Sequence, residues 1–458
     1  MAAQKVTEWR KLPISLTELC IETTLRCGQS FRWRKINEQW HCVLKGRLIS
    51  LKQDPTHLHY KVTWPTCTAT PKHEHPQDSE DDTSTLLLNY FALSHSLTTL
   101  YAQWSLSDAN FARRAPAFTG IRILNQDAWE TLISFICSSN NNISRISQMV
   151  LKLCTHYGPY IGTVEGEAFH DFPGPEALAG EGVETHLREL GFGYRAKYIA
   201  ETAGCVAQVY GEKWLLRLRN PGVPALGAAT KEAVGGGGAE VKKEEEEKGQ
   251  KENHIVDSKV DLDDDSPTYK KAHEALLTLP GVGPKVSDCV CLMGLGWGES
   301  VPIDTHVWQI AQRDYNFGGK GGAKTKTLNK AMYEAVGDHF RKIWGPQAGW
   351  AQSVLFTANL KSFSEQAAGA KKGAVKVEEE SQEEMVTSAE AVTKPGKRKG
   401  VVVKVEESEE MVATTSAAKS RKRKTVAAEV IPKAEPEANV QTTTTRTLRS
   451  SKRIKSQV

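Results

Sequence analysis

The chain has 458 residues, 39% of them hydrophobic and 25% charged, with a formal net charge of +4. That length allows two or three domains with sizeable cores, and no apolar run reaches the roughly 18 residues that a membrane span needs. Nine cysteines are scattered along it, and only Cys289 and Cys291 lie close together. That spacing argues against zinc and iron–sulfur sites and fits a reducing compartment.

The opening "MAAQKVTEWRKLPISL" has no long apolar run and does not read as a secretory signal. Glu8 and Glu18 weigh against a mitochondrial presequence. Residues 1–63 then carry "FRWRK", "WHCVLKG", "RLISLKQ" and "LHYKVTW", short runs rich in β-branched and aromatic residues with polar or glycine breaks. This pattern predicts a small antiparallel sheet. "PTCTATPKHEHPQDSEDDT" (65–83) is polar and proline-containing, the signature of a surface loop.

From about Leu86 the period becomes helical. "TLLLNYFAL", "LTTLYAQWS", "AWETLISFICSS", "ISRISQMVLKLCTHYG", "PEALAG" and "VETHLRELGFGYRAKYIAETAGCVAQVY" follow with short breaks, many with apolar residues three and four apart. Many helices with short connections predict a compact all-α domain.

Residues 220–267 interrupt it with 6 Lys/Arg against 12 Asp/Glu, net −6, and read as a disordered acidic insertion. From Lys361 onward the chain is poor in aromatics and carries 20 Lys/Arg against 14 Asp/Glu, net +6. "VKVEEESQEEMVTSAEAVTKPGKRK" is crudely repeated as "VKVEESEEMVATTSAAKSRKRK". The clusters Lys397–Lys399 and Arg421–Lys424 have the composition of nuclear localisation signals; a solvated flexible tail is the plainer alternative.

Between insertion and tail lies the most informative stretch. "TYKKAHEALLTL" is an amphipathic helix, "PGVG" a tight turn in which both glycines tolerate positive φ, and "PKVSDCVCLMGL" a second helix with Pro284 in its first turn. Helix, Gly-x-Gly turn, helix fits a DNA-binding helix–hairpin–helix whose backbone N–H groups hold a phosphate. An ordinary αα-corner fits it as well. Lys285 begins the second helix, where partial positive charge disfavours an ammonium. A neutral amine is the form that attacks carbon. A phosphate-binding lysine is the competing reading. Asp304 follows 19 residues later, in "SVPIDTHVWQIAQR". It precedes a helical run, so it can serve as an N-cap. A carboxylate near an amine nucleophile can also stabilise positive charge on a sugar whose glycosidic bond is breaking. The two roles are compatible, because capping fixes the carboxylate in place.

"LPGVGPKVSDC" followed by "VPIDTHVW" resembles the helix–hairpin–helix, Gly/Pro-rich-loop, Asp superfamily of DNA glycosylases. "GQSFRWR" (28–34), "FICSSNNNISRI" (135–146), "LGFGYRAKY" (190–198), "VWQIAQRDY" (307–315) and "GPQAGWAQSVLF" (345–356) narrow the resemblance to the eukaryotic 8-oxoguanine DNA glycosylase family. The match covers most of 9–219 and 268–361. It implies an α+β fold: an N-terminal antiparallel sheet domain (1–115), then an all-α helix–hairpin–helix domain (116–219 and 268–361). The insertion 220–267 and a disordered basic tail, 362–458, lie outside it.

The resemblance also implies residue roles. Lys285 attacks C1′ of the damaged nucleotide and forms a Schiff base, from which β-elimination nicks the strand; Asp304 stabilises the oxocarbenium-like charge. The base flips into a pocket, where the Gly28 carbonyl accepts from N7–H of 8-oxoguanine, Cys289 and Phe356 sandwich the ring, and Gln352 bonds its pairing edge. Asn140, Arg145 and Arg195 read the cytosine left behind, Tyr194 wedges beside it, and His306 meets the phosphate backbone, as do the hairpin amides around Gly281 and Gly283. No cofactor and no catalytic metal are implied; an ion at the carbonyls of Leu277, Leu279 and Val282 would be structural.

The expected partner is damaged double-stranded DNA, bound by a monomer without a membrane. Import receptors would act on the tail, giving a nuclear location with a mitochondrial pool as a second destination. Two alternatives stand beside this: a related glycosylase for another oxidised purine, opposed by Gly28 and the cytosine-reading arginines, and a non-catalytic DNA-damage binder, opposed by Lys285 and Asp304. The acidic insertion departs from the family pattern, as does Pro284, which stands where a small polar residue is common.

Overall fold

The computed structural model describes residues 5–65, 81–211, 213–228, 266–318 and 328–363. The basic tail and most of the acidic insertion lie outside the described residues. Six N-terminal strands form one antiparallel sheet: β1 (Lys5–Val6), β2 (Arg10–Pro13), β3 (Arg34–Ile36), β4 (Gln39–Leu44), β5 (Arg47–Gln53) and β6 (His57–Trp64). Their order is β1-β6-β5-β4-β3, with β2 also pairing β6.

The period of two along β4 and β5 explains what covers each face. Trp40, Cys42 and Leu44, with Ile49 and Leu51, join a core with Leu86, Leu87, Tyr90 and Phe91 of the helix Thr83–Tyr90 and its end. The alternate residues Val43 and Leu48 pack instead on Ile161 and Phe169. Those two belong to a second hairpin, β7 (Tyr160–Val164) and β8 (Glu167–His170). The region expected to be all helical therefore contains a β-ribbon. Its turn residues Glu165 and Gly166 both take positive φ, and it closes the outer face of the sheet.

The rest of the described chain is mainly helical. Helices of nine or more residues are α1 (Leu97–Ser107), α2 (Ala128–Ile136), α3 (Ile143–Tyr157), α4 (Arg195–Gly204), α5 (Tyr269–Leu277), α6 (Pro284–Met293), α7 (Thr305–Asp314), α8 (Lys330–Trp344) and α9 (Ala348–Asn359). Their apolar stripes form one continuous core, with α2 and α6 buried along almost their whole length. Among the described residues, no helix is long and apolar enough to cross a membrane.

Sheet and helices are tied by a buried ion pair. Arg32 gives a two-pronged bond to Glu130 of α2, at 2.8 and 2.6 Å, and reaches Asp171 after β8 at 3.4 Å. Burial pushes the Glu130 carboxyl above its ordinary range, and the Arg32 guanidinium opposes that. Residues 220–228, read from sequence as part of the insertion, are packed here. Leu226 is buried in the sheet-side core, and the carbonyls of Pro224 and Ala225 accept from Asn125 and Asn89.

Candidate active site

The turn between α5 and α6 uses one glycine for its handedness, not two. Gly281 has φ +75°, and a Cβ there would lie 2.6 Å from Cβ of Tyr198 on α4. Gly283 has φ −100°, ordinary extended backbone, and serves as the N-cap of α6. The turn is held on α4 by Thr202, whose hydroxyl donates to the Pro280 carbonyl at 2.9 Å. Pro284 then opens α6 without wasting a donor, since first-turn amides have no helical partner.

Lys285 follows in that first turn. Its Nζ donates to Ser138 Oγ at 3.1 Å and lies 4.7 Å from the centre of the Phe135 ring. The Ser138 hydroxyl in turn donates to the Phe135 carbonyl at 2.7 Å, so its lone pairs face the amine. Asp304 is the N-cap of α7, its Oδ1 accepting from the Val307 amide at 2.9 Å. A capping carboxylate has little rotational freedom, so its position is set by the helix behind it.

Lys285 and Asp304 line one cavity, and Gly28, Cys289, Gln352 and Phe356 line it with them. Every residue assigned from sequence to catalysis or base binding thus reaches the same space. Gly28 takes φ +87°, and a Cβ there would lie 3.0 Å from Cδ1 of Ile143. Lys285 and Cys289 are one turn apart on α6, and Gln352 and Phe356 one turn apart on α9, so each pair shares a helix face. Burial pushes the Cys289 thiol up to about 12, against the opposing effect of Lys285, so it stays a neutral apolar wall rather than a rival nucleophile. The His306 ring meets Phe356 edge-on, with centres 5.9 Å apart.

The other assigned residues gather at the loop between α2 and α3. Asn140 is exposed with φ +47°, and Arg145 is exposed in the first turn of α3. Arg195 lies beneath the loop, only 4% exposed. Its Nε and Nη2 donate to the Ser139 carbonyl and its Nη2 to the Asn140 carbonyl, which leaves Nη1 without a bond among the described residues. Tyr194 is 48% exposed; its hydroxyl donates to the Ser139 carbonyl at 3.1 Å, and its ring carries the Arg195 guanidinium at 4.6 Å.

Sequence reasoning missed three contributors. Phe135 and Ser138 flank the lysine and sit in the quoted "FICSSNNN". Gln29 is the third: it bonds the Arg122 carbonyl through Nε2 at 2.7 Å and the Leu124 amide through Oε1 at 3.0 Å. These bonds anchor the turn that presents Gly28. A glutamine in "GQS" carries no local signal of that role, because its partners are more than 90 residues away. Among the described residues, no group of His, Cys, Asp and Glu has the grouping to hold a metal ion.

Residues 11–132 match the family described as "8-oxoguanine DNA glycosylase, N-terminal domain", and residues 133–335 the "HhH-GPD superfamily base excision DNA repair protein" family. An N-glycosylase/DNA lyase of Saccharomyces cerevisiae is 37% identical over 377 residues, covering 77% of this chain and 87% of the yeast protein. One of Arabidopsis thaliana is 34% identical, covering 77% of this chain and 80% of the plant protein. The fold is similar to that of the Clostridium acetobutylicum 8-oxoguanine glycosylase/lyase solved with duplex DNA containing cytosine opposite 8-oxoguanine. That likeness has a TM-score of 0.53 and 20% identity, and covers 74% of this chain and 91% of the bacterial one. With both family patterns met in order, and such identity across most of the yeast protein, the chain belongs to the 8-oxoguanine DNA glycosylase family of N-glycosylase/DNA lyases.

Proposed function

We propose that this chain excises 8-oxoguanine opposite cytosine from duplex DNA and then nicks the strand, with Lys285 as nucleophile and Asp304 as the electrostatic partner. The observation that carries this reading is the meeting of the Lys285 amine, the Asp304 carboxylate and the base-binding residues around one cavity. The reaction is the splitting of an N-glycosidic bond followed by β-elimination. The amine lone pair attacks C1′, and the base leaves with the electrons of the glycosidic bond. Positive charge that grows on the sugar ring is met by the Asp304 carboxylate. Ring opening gives an imine on Lys285. Loss of a proton from C2′ then expels the 3′ phosphate, and water releases the lysine.

Recognition of the base rests on one proton. The Gly28 carbonyl accepts from N7–H of 8-oxoguanine; guanine presents a lone pair there and leaves two acceptors facing each other. Phe356 and Cys289 sandwich the ring, and Gln352 bonds its pairing edge. Asn140, Arg145 and the unbonded Nη1 of Arg195 read the orphaned cytosine, whose acceptors suit such donors, with Tyr194 wedged beside it. His306 and the hairpin amides near Gly281 and Gly283 hold phosphates. The enzyme acts as a monomer, and the tail clusters Lys397–Lys399 and Arg421–Lys424 recruit import receptors for the nucleus, a mitochondrial pool being the second destination.

Borohydride reduction on an 8-oxoguanine:cytosine duplex tests the chemistry. Wild-type chain should be trapped covalently, and Lys285→Gln should not. No trapping with the wild type removes the lysine from the mechanism. Equal excision opposite adenine and cytosine removes the roles given to Asn140, Arg145 and Arg195.

A further inference from the structure

Along α6, outside the residues that line the cavity, lies a polar cluster that the mechanism does not use. Asp288 is 1% exposed and stands between Lys285 and Cys289 in sequence. Its Oδ1 accepts from the Tyr269 hydroxyl of α5, and its Oδ2 from the Tyr333 hydroxyl of α8. Ser300 Oγ lies 2.9 Å from both Oδ1 and the Asp288 carbonyl. His273 Nε2 stands 3.6 Å from Oδ1. A carboxylate so deeply buried is costly unless its oxygens are met by donors, and these are.

The two phenols are not equivalent. The Tyr333 hydroxyl also accepts from the Ile303 amide at 3.3 Å, and Ile303 directly precedes Asp304. A chain of hydrogen bonds therefore runs from α6, which carries Lys285, through Asp288 and Tyr333 to the residue beside Asp304. Ser300 fastens the start of the same short segment to the same carboxylate. Burial pushes both phenols above their ordinary range, so each keeps its proton and donates. Tyr269 gives an equal bond to Asp288 but has no bond to the 300–304 segment among the described residues.

We propose that Asp288 and Tyr333 are positioning residues that set the Asp304 carboxylate against the Lys285 amine, an inference that rests on the site reading above. Two reacting groups on separate elements hold their spacing only if those elements are joined, and a displacement of an ångström is enough to slow chemistry severely. The lever acts on the step that uses both groups, base excision. Nicking of a preformed abasic site has no glycosidic bond left to break and relies on Lys285 alone.

Single-turnover excision of 8-oxoguanine, measured beside nicking of a preformed abasic site, tests this. Tyr333→Phe should slow excision about tenfold while abasic nicking and DNA affinity stay within about twofold of wild type. Tyr269→Phe removes a donor from the same carboxylate without touching Ile303, and should leave both rates within about twofold. Unchanged excision by Tyr333→Phe overturns the proposal. Equal slowing by Tyr269→Phe overturns it too, as does a parallel fall of both activities with Tm, which marks a folding defect. Asp304→Asn in the same assay separates the layers. Wild-type excision by Asp304→Asn brings down the site reading, whereas a slow Asp304→Asn beside an unimpaired Tyr333→Phe removes only the relay.

Discussion

Asp304 is expected to do two jobs, and two substitutions separate them. Its Oδ1 caps α7 by accepting from the Val307 amide at 2.9 Å. Asparagine caps a helix about as well as aspartate, whereas alanine in a cap costs about 1 kcal/mol. In a folded body of this size, that cost lowers Tm by about 2–4 °C. Asp304→Asn should therefore melt with the wild type, and Asp304→Ala a few degrees below it. Catalysis should not follow that order. Both variants lose the negative charge beside the breaking bond, and loss of one preorganised electrostatic partner slows such reactions by about 10²–10³. Differential scanning calorimetry and single-turnover excision on an 8-oxoguanine:cytosine duplex give the two readouts. Excision by Asp304→Asn near the wild-type rate would refute the electrostatic role. A Tm of Asp304→Ala equal to wild type would refute the cap.

Three further outcomes follow from the fold. Gly281→Ala should destabilise by about 2 kcal/mol or more in urea unfolding, because positive φ and the 2.6 Å approach to Tyr198 act together. Arg32→Ala should cost about 3–5 kcal/mol by stranding the buried Glu130 carboxylate, while the double change Arg32→Met with Glu130→Leu recovers most of it; equal losses in both variants would discount the ion pair. Glu18 accepts from the Leu97 and Thr98 amides at the start of α1, from the Thr98 hydroxyl and from Arg122. Partial burial raises its carboxyl, but these donors outweigh that and bring it down from 4.5 to about 2. Its contribution is therefore fully present above about pH 4.5 and fades as pH falls toward 2. After discounting for its partial exposure, Glu18→Gln should cost about 2 kcal/mol at pH 7. A gap from wild type that persists unchanged on acidification would contradict this.

What could be read from sequence divides by range. The placement of Lys285 in a first turn and of Asp304 at an N-cap was legible because turn glycine, first-turn proline and N-cap are signals contained within a few residues; the roles expected of them came from the family resemblance. Strand β5 was read at its observed limits, Arg47–Gln53, because the Lys45–Gly46 turn marks its start within the sequence itself. The β7–β8 ribbon was not read: its strands are short and contribute only Ile161 and Phe169 to the buried face of the sheet. Arg32 gave no hint of Glu130, 98 residues away, nor Asp288 of Tyr333, 45 residues away. Such pairings are decided by which elements the core brings together. Leu226 belongs here too. The charge run after it made the whole stretch look unstructured, yet the Leu226 side chain, together with the Pro224 and Ala225 carbonyls that accept from Asn125 and Asn89, holds residues 220–228 in place.

The cavity draws its wall from the first thirty residues, at Gly28, and from the last helix of the described chain, at Phe356. No contiguous fragment short of that span contains the site. A chain still emerging from the ribosome carries Gly28 and Lys285 before α9 exists to complete the wall around them. Without α9 the cavity lacks the Phe356 ring and the Gln352 amide from its wall. The cavity is thus completed last in synthesis. A site assembled from both ends of the folded chain exists only once α9 is in place, unlike one that closes within a single motif.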